Sequence, residues 1–189
     1  MGDKYLKTLE MSTAAIVIDN FLTNDKWNTI QSGITDYLNS STYMEERTSL
    51  HTQIQDWIEE QLTLLNLWQS SWKNEIPLFS SINVAPVGLD RESSDPSNGG
   101  YHVESGGYIY YIHPTWDSSW GGHLKFKNCD VEQIEPTPNR FVWVNPKVWH
   151  GIGVVESGAT NNRIAVVAWP TGTMAVSYTH LTLPTILLV

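Results

Sequence analysis

The sequence predicts an α+β domain, mainly β, in which N-terminal helices support an antiparallel sandwich or jelly roll. Three observations carry that prediction. Two stretches before position 79 place apolar residues at helical spacing. From Phe79 onward, short β-branched and aromatic runs are punctuated by Gly, Pro and Asn, with no helical pattern between them. The single cysteine, Cys129, excludes both an intramolecular disulfide and a cysteine-based zinc cluster. The core must therefore be apolar, and 189 residues with 41% hydrophobic side chains suffice for one domain.

The elements follow in order. Ala14–Phe21 is a β-branched run bounded by Asp and Asn, hence a strand. Thr23, Asn24 and Asp25 supply an N-cap for a helix whose stripe is Trp27, Ile30, Ile34 and Leu38. A second helix carries Leu50, Ile54, Trp57, Ile58, Leu62 and Leu65 on one stripe, and the Pro77 region closes this part. Strands are expected at 79–87, 100–104, 107–113, 122–127, 140–145, 149–155 and 162–169. Seven strands without helices between them suit a sandwich or jelly roll. The domain is expected over 1–175, with helical support and first strands in 1–78 and the jelly-roll core in 79–175.

Residues 176–189 break character with the rest: they carry no charge and end in an apolar run. They resemble a transposon-type sequencing adapter read through in frame, so the tail is expected to be non-native and His180 is set aside. Acidic residues outnumber basic ones 20 to 11, for a formal charge of −9, which argues against a nucleic-acid partner. No apolar run is long enough to span a bilayer, and the N-terminus lacks a secretory pattern. A cytoplasmic protein is expected. Nine tryptophans read as core and rim filling rather than a sugar-stacking surface.

Chemistry enters through the histidines. In a strand, residues i and i+2 face the same way, so His102 and Glu104 can point together into a barrel mouth. A later His150 could complete a facial set of two imidazoles and one carboxylate. Such a set leaves open positions on an octahedral metal, the arrangement of non-haem Fe(II) oxygenases. Arg163 opens the run Arg163–Trp169, and alternation sets it on one face with Ala165 and Val167. An inward guanidinium needs an anion, which a dicarboxylate would supply; a surface charge on an edge strand is the competing reading.

These segments together resemble one family. Gly100-Tyr-His-Val-Glu104, Tyr108–Trp116, Trp120-Gly-Gly-His-Leu-Lys-Phe126, Pro138–Trp143, His150-Gly-Ile and Arg163–Trp169 are similar to the prolyl 4-hydroxylase-type 2-oxoglutarate/Fe(II) dioxygenases. The resemblance implies a double-stranded β-helix, a distorted jelly roll. It implies His102, Glu104 and His150 as metal ligands and Arg163 as partner of the 2-oxoglutarate C5 carboxylate. Tyr111 falls where the family places a second contact to that carboxylate, with Tyr110 as the alternative if the register slips by one. Gly121-Gly122 is assigned a tight strand entry, a backbone role. The implied cofactors are Fe(II) and 2-oxoglutarate, with ascorbate as accessory reductant. The implied reaction hydroxylates a substrate C–H bond, peptidyl proline leading, and releases succinate and CO2. The implied partners are that small cosubstrate and a peptide or protein substrate, in a bacterial or phage setting.

One departure stands out: the family carries Asp where this chain has Glu104, whose extra methylene moves the oxygen by ~1.5 Å on a fixed backbone. A second reading is therefore a catalytically silent jelly-roll binding domain with a degraded metal site. A third is a cupin-like metal enzyme that does not use 2-oxoglutarate. His113 and His123 read as rim or supporting residues, and His51, on the second helix, as solvated. The Gly88–Gly100 loop, just ahead of His102, reads as a lid.

Overall fold

The computed structural model describes residues 9–12, 14–35, 49–65, 78–90, 100–103, 106–145 and 147–170. Glu104, most of the Gly88–Gly100 loop, Trp68, Trp72, Leu38 and the tail at 176–189 lie outside them. Among the described residues, two antiparallel sheets, two α-helices and a short 3-10 turn at Ser118–Trp120 make up the fold. The larger sheet holds six strands, in the spatial order β1 (Leu9–Met11), β2 (Ala15–Ile18), β8 (Phe141–Val144), β5 (Gly107–Tyr111), β10 (Arg163–Pro170) and β3 (Leu78–Ala85). The smaller sheet runs β4 (His102–Val103), β9 (Trp149–Ile152), β6 (Leu124–Phe126), β7 (Gln133–Ile134). From β4 onward the chain passes repeatedly from one sheet to the other, the connectivity a jelly roll needs.

The larger sheet is covered on both faces. Helix α1 (Asn24–Gly33) and helix α2 (Ser49–Leu64) pack Ile30, Ile54, Ile58 and Leu62 with Ile82, Tyr110, Ile164 and Val166. The opposite face gives Val17, Tyr111, Val142, Val144, Ala165 and Val167 to a second core shared with Leu124, Phe126 and Ile134 of the smaller sheet. Strand β10 sits between these layers, and Arg163 to Ala168 are buried without a break. Such double coverage is why the strand reads as a nearly continuous small-apolar run, with one arginine at its start.

Two features differ from the sequence expectations. His51 is fully buried, not solvated: it shares the α2 stripe with Ile54, Ile58 and Leu62, and its Nε2 lies 2.9 Å from Ser80 Oγ. Thr23 is the α1 N-cap residue but makes no side-chain cap bond. The described tryptophans agree with the core-and-rim reading: all but Trp149, which is 41% exposed, are half-buried and pack against the cores.

A staple at one corner ties the N-terminal part to the sheets. Asn139, at φ 58°, is buried; its Oδ1 accepts from Leu22 N–H at 3.0 Å and from the Tyr110 hydroxyl at 2.8 Å. Its Nδ2 donates to Leu22 O at 3.0 Å. Asn tolerates the left-handed conformation better than most residues, and here its amide doubles as a strand-like pairing edge. Nearby, Arg140 grips Asp19 through Nε at 2.6 Å and Nη2 at 3.0 Å.

Candidate metal and diacid site

Strand pairing brings two distant histidines together. His102 and His150 are register partners on β4 and β9, so their side chains leave the same face of the smaller sheet. Their ring centroids are 4.4 Å apart, edge to face. His150 is buried, while His102 is exposed toward the mouth. The His150 Nδ1 lies 2.9 Å from Val148 O. A carbonyl only accepts, so Nδ1 carries a proton, and in the neutral ring Nε2 is then the lone-pair nitrogen, the form that binds a metal. Glu104 lies outside the described residues, and among those no group of three or more His, Cys, Asp or Glu is placed to hold a metal ion.

Both histidines line a cavity of about 440 Å³ between the sheets, and Arg163 lines it too. Leu124, Val144, Ile152 and Val167 contribute apolar wall, and Asn83 from β3 adds a polar group that sequence reasoning did not single out. Asn83 stands opposite Ala165 in the β3–β10 ladder, so the alternation that turns Arg163 inward turns Asn83 inward as well. That pairing partner, not any local motif, is the signal.

Arg163 is only 1% exposed. Its Nη2 donates to the Tyr111 hydroxyl at 3.1 Å, and its guanidinium carbon lies 4.9 Å from the Tyr111 ring centroid. Its Nε is buried and has no hydrogen-bond partner. A buried guanidinium with an unanswered N–H is built for an anion that enters the cavity. Tyr110 turns the other way, into the helix-facing core and onto Asn139, which separates the roles of the two adjacent tyrosines.

Gly122 makes room for that arginine, and Gly121 for the close approach of the Val154 carbonyl. Gly121 and Gly122 have φ of 68° and 65°. A Cβ on Gly122 would stand 3.0 Å from Trp116 Cζ2 and 3.1 Å from Arg163 Cδ. His113 is fully buried behind Arg163, with Nε2 at 2.6 Å from Pro136 O and its ring 4.7 Å from that of Trp116. Burial, and then the nearby Arg163 charge, push its pKa down to about 4 against two opposing carbonyl contacts. His123 is half-buried immediately before β6.

Residues 90–171 match the family model described as the 2OG-Fe(II) oxygenase superfamily. The chain is similar in structure to a Pseudomonas putida prolyl-4-hydroxylase, with 15% identity and a TM-score of 0.55 over 84% of this chain and 92% of that one. It is also similar to a prolyl 4-hydroxylase from Phytophthora capsici, with 12% identity and a TM-score of 0.52 over 84% of this chain and 59% of that one. At these identities the likeness is one of fold, that of the oxygenase jelly rolls. No curated protein sequence matches the chain. The resemblance carried by the sequence motifs holds in both the family match and the fold.

Proposed function

We propose that this chain, similar over residues 90–171 to the 2OG-Fe(II) oxygenase superfamily and in fold to prolyl 4-hydroxylases, is an Fe(II)- and 2-oxoglutarate-dependent dioxygenase on a double-stranded β-helix. It hydroxylates a substrate C–H bond, with peptidyl proline the leading acceptor. The observation that carries this reading is the buried Arg163, its Nε unanswered, on the same cavity as the adjacent His102 and His150.

His102, Glu104 and His150 would hold the metal, and Arg163 with Tyr111 would take the far carboxylate of 2-oxoglutarate. Bound there, Fe(II) and 2-oxoglutarate supply the oxidative chemistry: one oxygen atom of O2 enters the substrate C–H bond, the other enters succinate, and CO2 leaves. The protein's own part is positional. The Val148 carbonyl holds the His150 ring in its metal-binding tautomer. The Tyr111 hydroxyl orients the guanidinium without adding charge. Leu124, Val144 and Val167 keep water from competing for the arginine, which strengthens its grip on a carboxylate. His102 at the exposed mouth sets the side from which an acceptor chain approaches.

Anaerobic addition of Fe(II) and then 2-oxoglutarate should produce the weak visible charge-transfer band of a chelated complex. Aerobic turnover with a peptide library should then give succinate and a product heavier by one oxygen atom. A protein that gives neither band nor succinate is the silent binding domain instead. A band and succinate without a modified peptide would move the acceptor to another class.

A further inference from the structure

The β5–β10 ladder has an irregular end beside Arg163. The last register pair is Tyr111 with Ala165. One step further, Ile112 N–H donates to Ile164 O at 2.9 Å, as an antiparallel pair should. The return bond is diverted: Ile112 O accepts from Gln31 Nε2 at 3.0 Å. Ile164 N–H goes instead to Nδ1 of His113, at 3.2 Å. The other ring nitrogen, 2.6 Å from Pro136 O, must carry the proton, because that oxygen can only accept. Ile164 O, 3.1 Å from Nδ1, already has Ile112 N–H. One neutral tautomer therefore satisfies every group around the ring.

We propose that His113 is a positioning residue of the diacid site: its imidazole stands in for the diverted Ile112 carbonyl, closes the ladder, and so fixes where Arg163 enters the cavity. The inference rests on the reading of Arg163 as the carboxylate anchor. Ile164 is the next residue after Arg163, so its amide is the nearest handle on the arginine's backbone. A doubly protonated ring would leave Ile164 N–H without an acceptor and would set a second buried cation beside the guanidinium. The low pKa of about 4, caused first by burial and then by Arg163, agrees with a ring kept neutral. Arg163 then presents its charge to the ligand undisturbed.

Three substitutions separate this role from simple core filling. His113→Asn places an amide oxygen near the position of Nδ1 and nothing within reach of Pro136. His113→Gln extends an amide toward Pro136 and lacks the acceptor at Ile164. His113→Phe keeps the volume and neither bond. The readouts are 2-oxoglutarate affinity of Mn(II)-loaded protein, followed by tryptophan fluorescence, Mn(II) affinity itself, and hydrogen exchange of the Ile164 amide. The Asn variant should bind 2-oxoglutarate within about threefold of wild type, whereas Gln and Phe weaken it roughly tenfold, about 1.4 kcal/mol. Mn(II) affinity should stay unchanged in all three, and Ile164 exchange should quicken only in Gln and Phe. Any other order, such as Asn as weak as Phe or all three like wild type, overturns the inference. Wild type that binds no 2-oxoglutarate at all would sink the functional reading as well, so the two failures are distinct.

Discussion

Tyr111 and Arg163 meet diagonally across neighbouring strands, the hydroxyl accepting from Nη2 at 3.1 Å while the ring lies 4.9 Å from the guanidinium carbon. One side chain thus holds the cation by two different forces, a hydrogen bond at its tip and a quadrupole at its face. Removing only the hydroxyl separates them. Tyr111→Phe should keep Arg163 in place and weaken 2-oxoglutarate binding by roughly three- to tenfold, the worth of about one hydrogen bond. Isothermal titration on Mn(II)-loaded protein checks it; an unchanged affinity would take the hydroxyl out of the site.

Arg163→Ala removes the proposed carboxylate anchor. Two charge-assisted bonds at ~1.5–3 kcal/mol each set the expected loss at roughly a hundredfold or more in 2-oxoglutarate affinity. Metal affinity should be spared, since the His102–His150 pair sits on the other sheet. A variant that keeps its turnover would point to the cupin-like reading.

Gly122→Ala tests the space beside the arginine. The added methyl meets Trp116 and Arg163 at 3.0 and 3.1 Å, on a residue whose φ of 65° already disfavours a side chain. A stability loss of about 1–3 kcal/mol is expected in urea unfolding, with weaker 2-oxoglutarate binding by the folded fraction. Gly158, where a Cβ meets nothing within 4 Å, supplies the control.

The buried His113 gives stability a pH slope of known sign. Its folded pKa, about 4, lies below the unfolded 6.5, so the unfolded chain binds the extra proton between those values. The contribution is complete above pH 6.5 and is lost as pH falls toward 4, by roughly 3 kcal/mol at most. Urea midpoints measured from pH 7.5 to 4.5 should fall more steeply for wild type than for His113→Asn. Parallel curves would mean that the folded ring takes up its proton like an exposed one.

Asn139→Ala should be costly at the corner that ties the N-terminal part to the sheets. It leaves Leu22 N–H, Leu22 O and the Tyr110 hydroxyl without their partner and puts alanine at φ 58°. Roughly 2–4 kcal/mol of stability should go, read from the urea midpoint, while the folded fraction binds 2-oxoglutarate as before.

Much of this arrangement was legible in the sequence, because periodicity reports burial. The small-apolar run from Arg163 to Trp169 read as a strand, and it is one, with Arg163, Ala165 and Val167 on the inner face; His102 lies on β4, while Glu104 is outside the described residues. Elements of two or three residues left too little pattern, so β1 and β7 went unseen. His51 was misread because a polar residue on a helix is usually solvated, although its spacing to Ile54 and Ile58 was that of the buried stripe. The role of His113 depends on a carbonyl turning away to Gln31, 81 residues earlier in the chain, and no local pattern carries that.

The pairing of β2 with β8, Ala15 opposite Val144, and the staple from Leu22 to Asn139, 117 residues apart, have a consequence for biosynthesis. A ribosome adding ~5–20 residues per second emits Ile16, Val17 and Ile18 many seconds before their sheet neighbour exists. Until then this stretch is an unshielded apolar edge on a nascent chain, the kind of segment that chaperones hold. Pairing of β2 into the larger sheet therefore waits until β8 has been made, and a sheet built on such long-range pairs forms slowly.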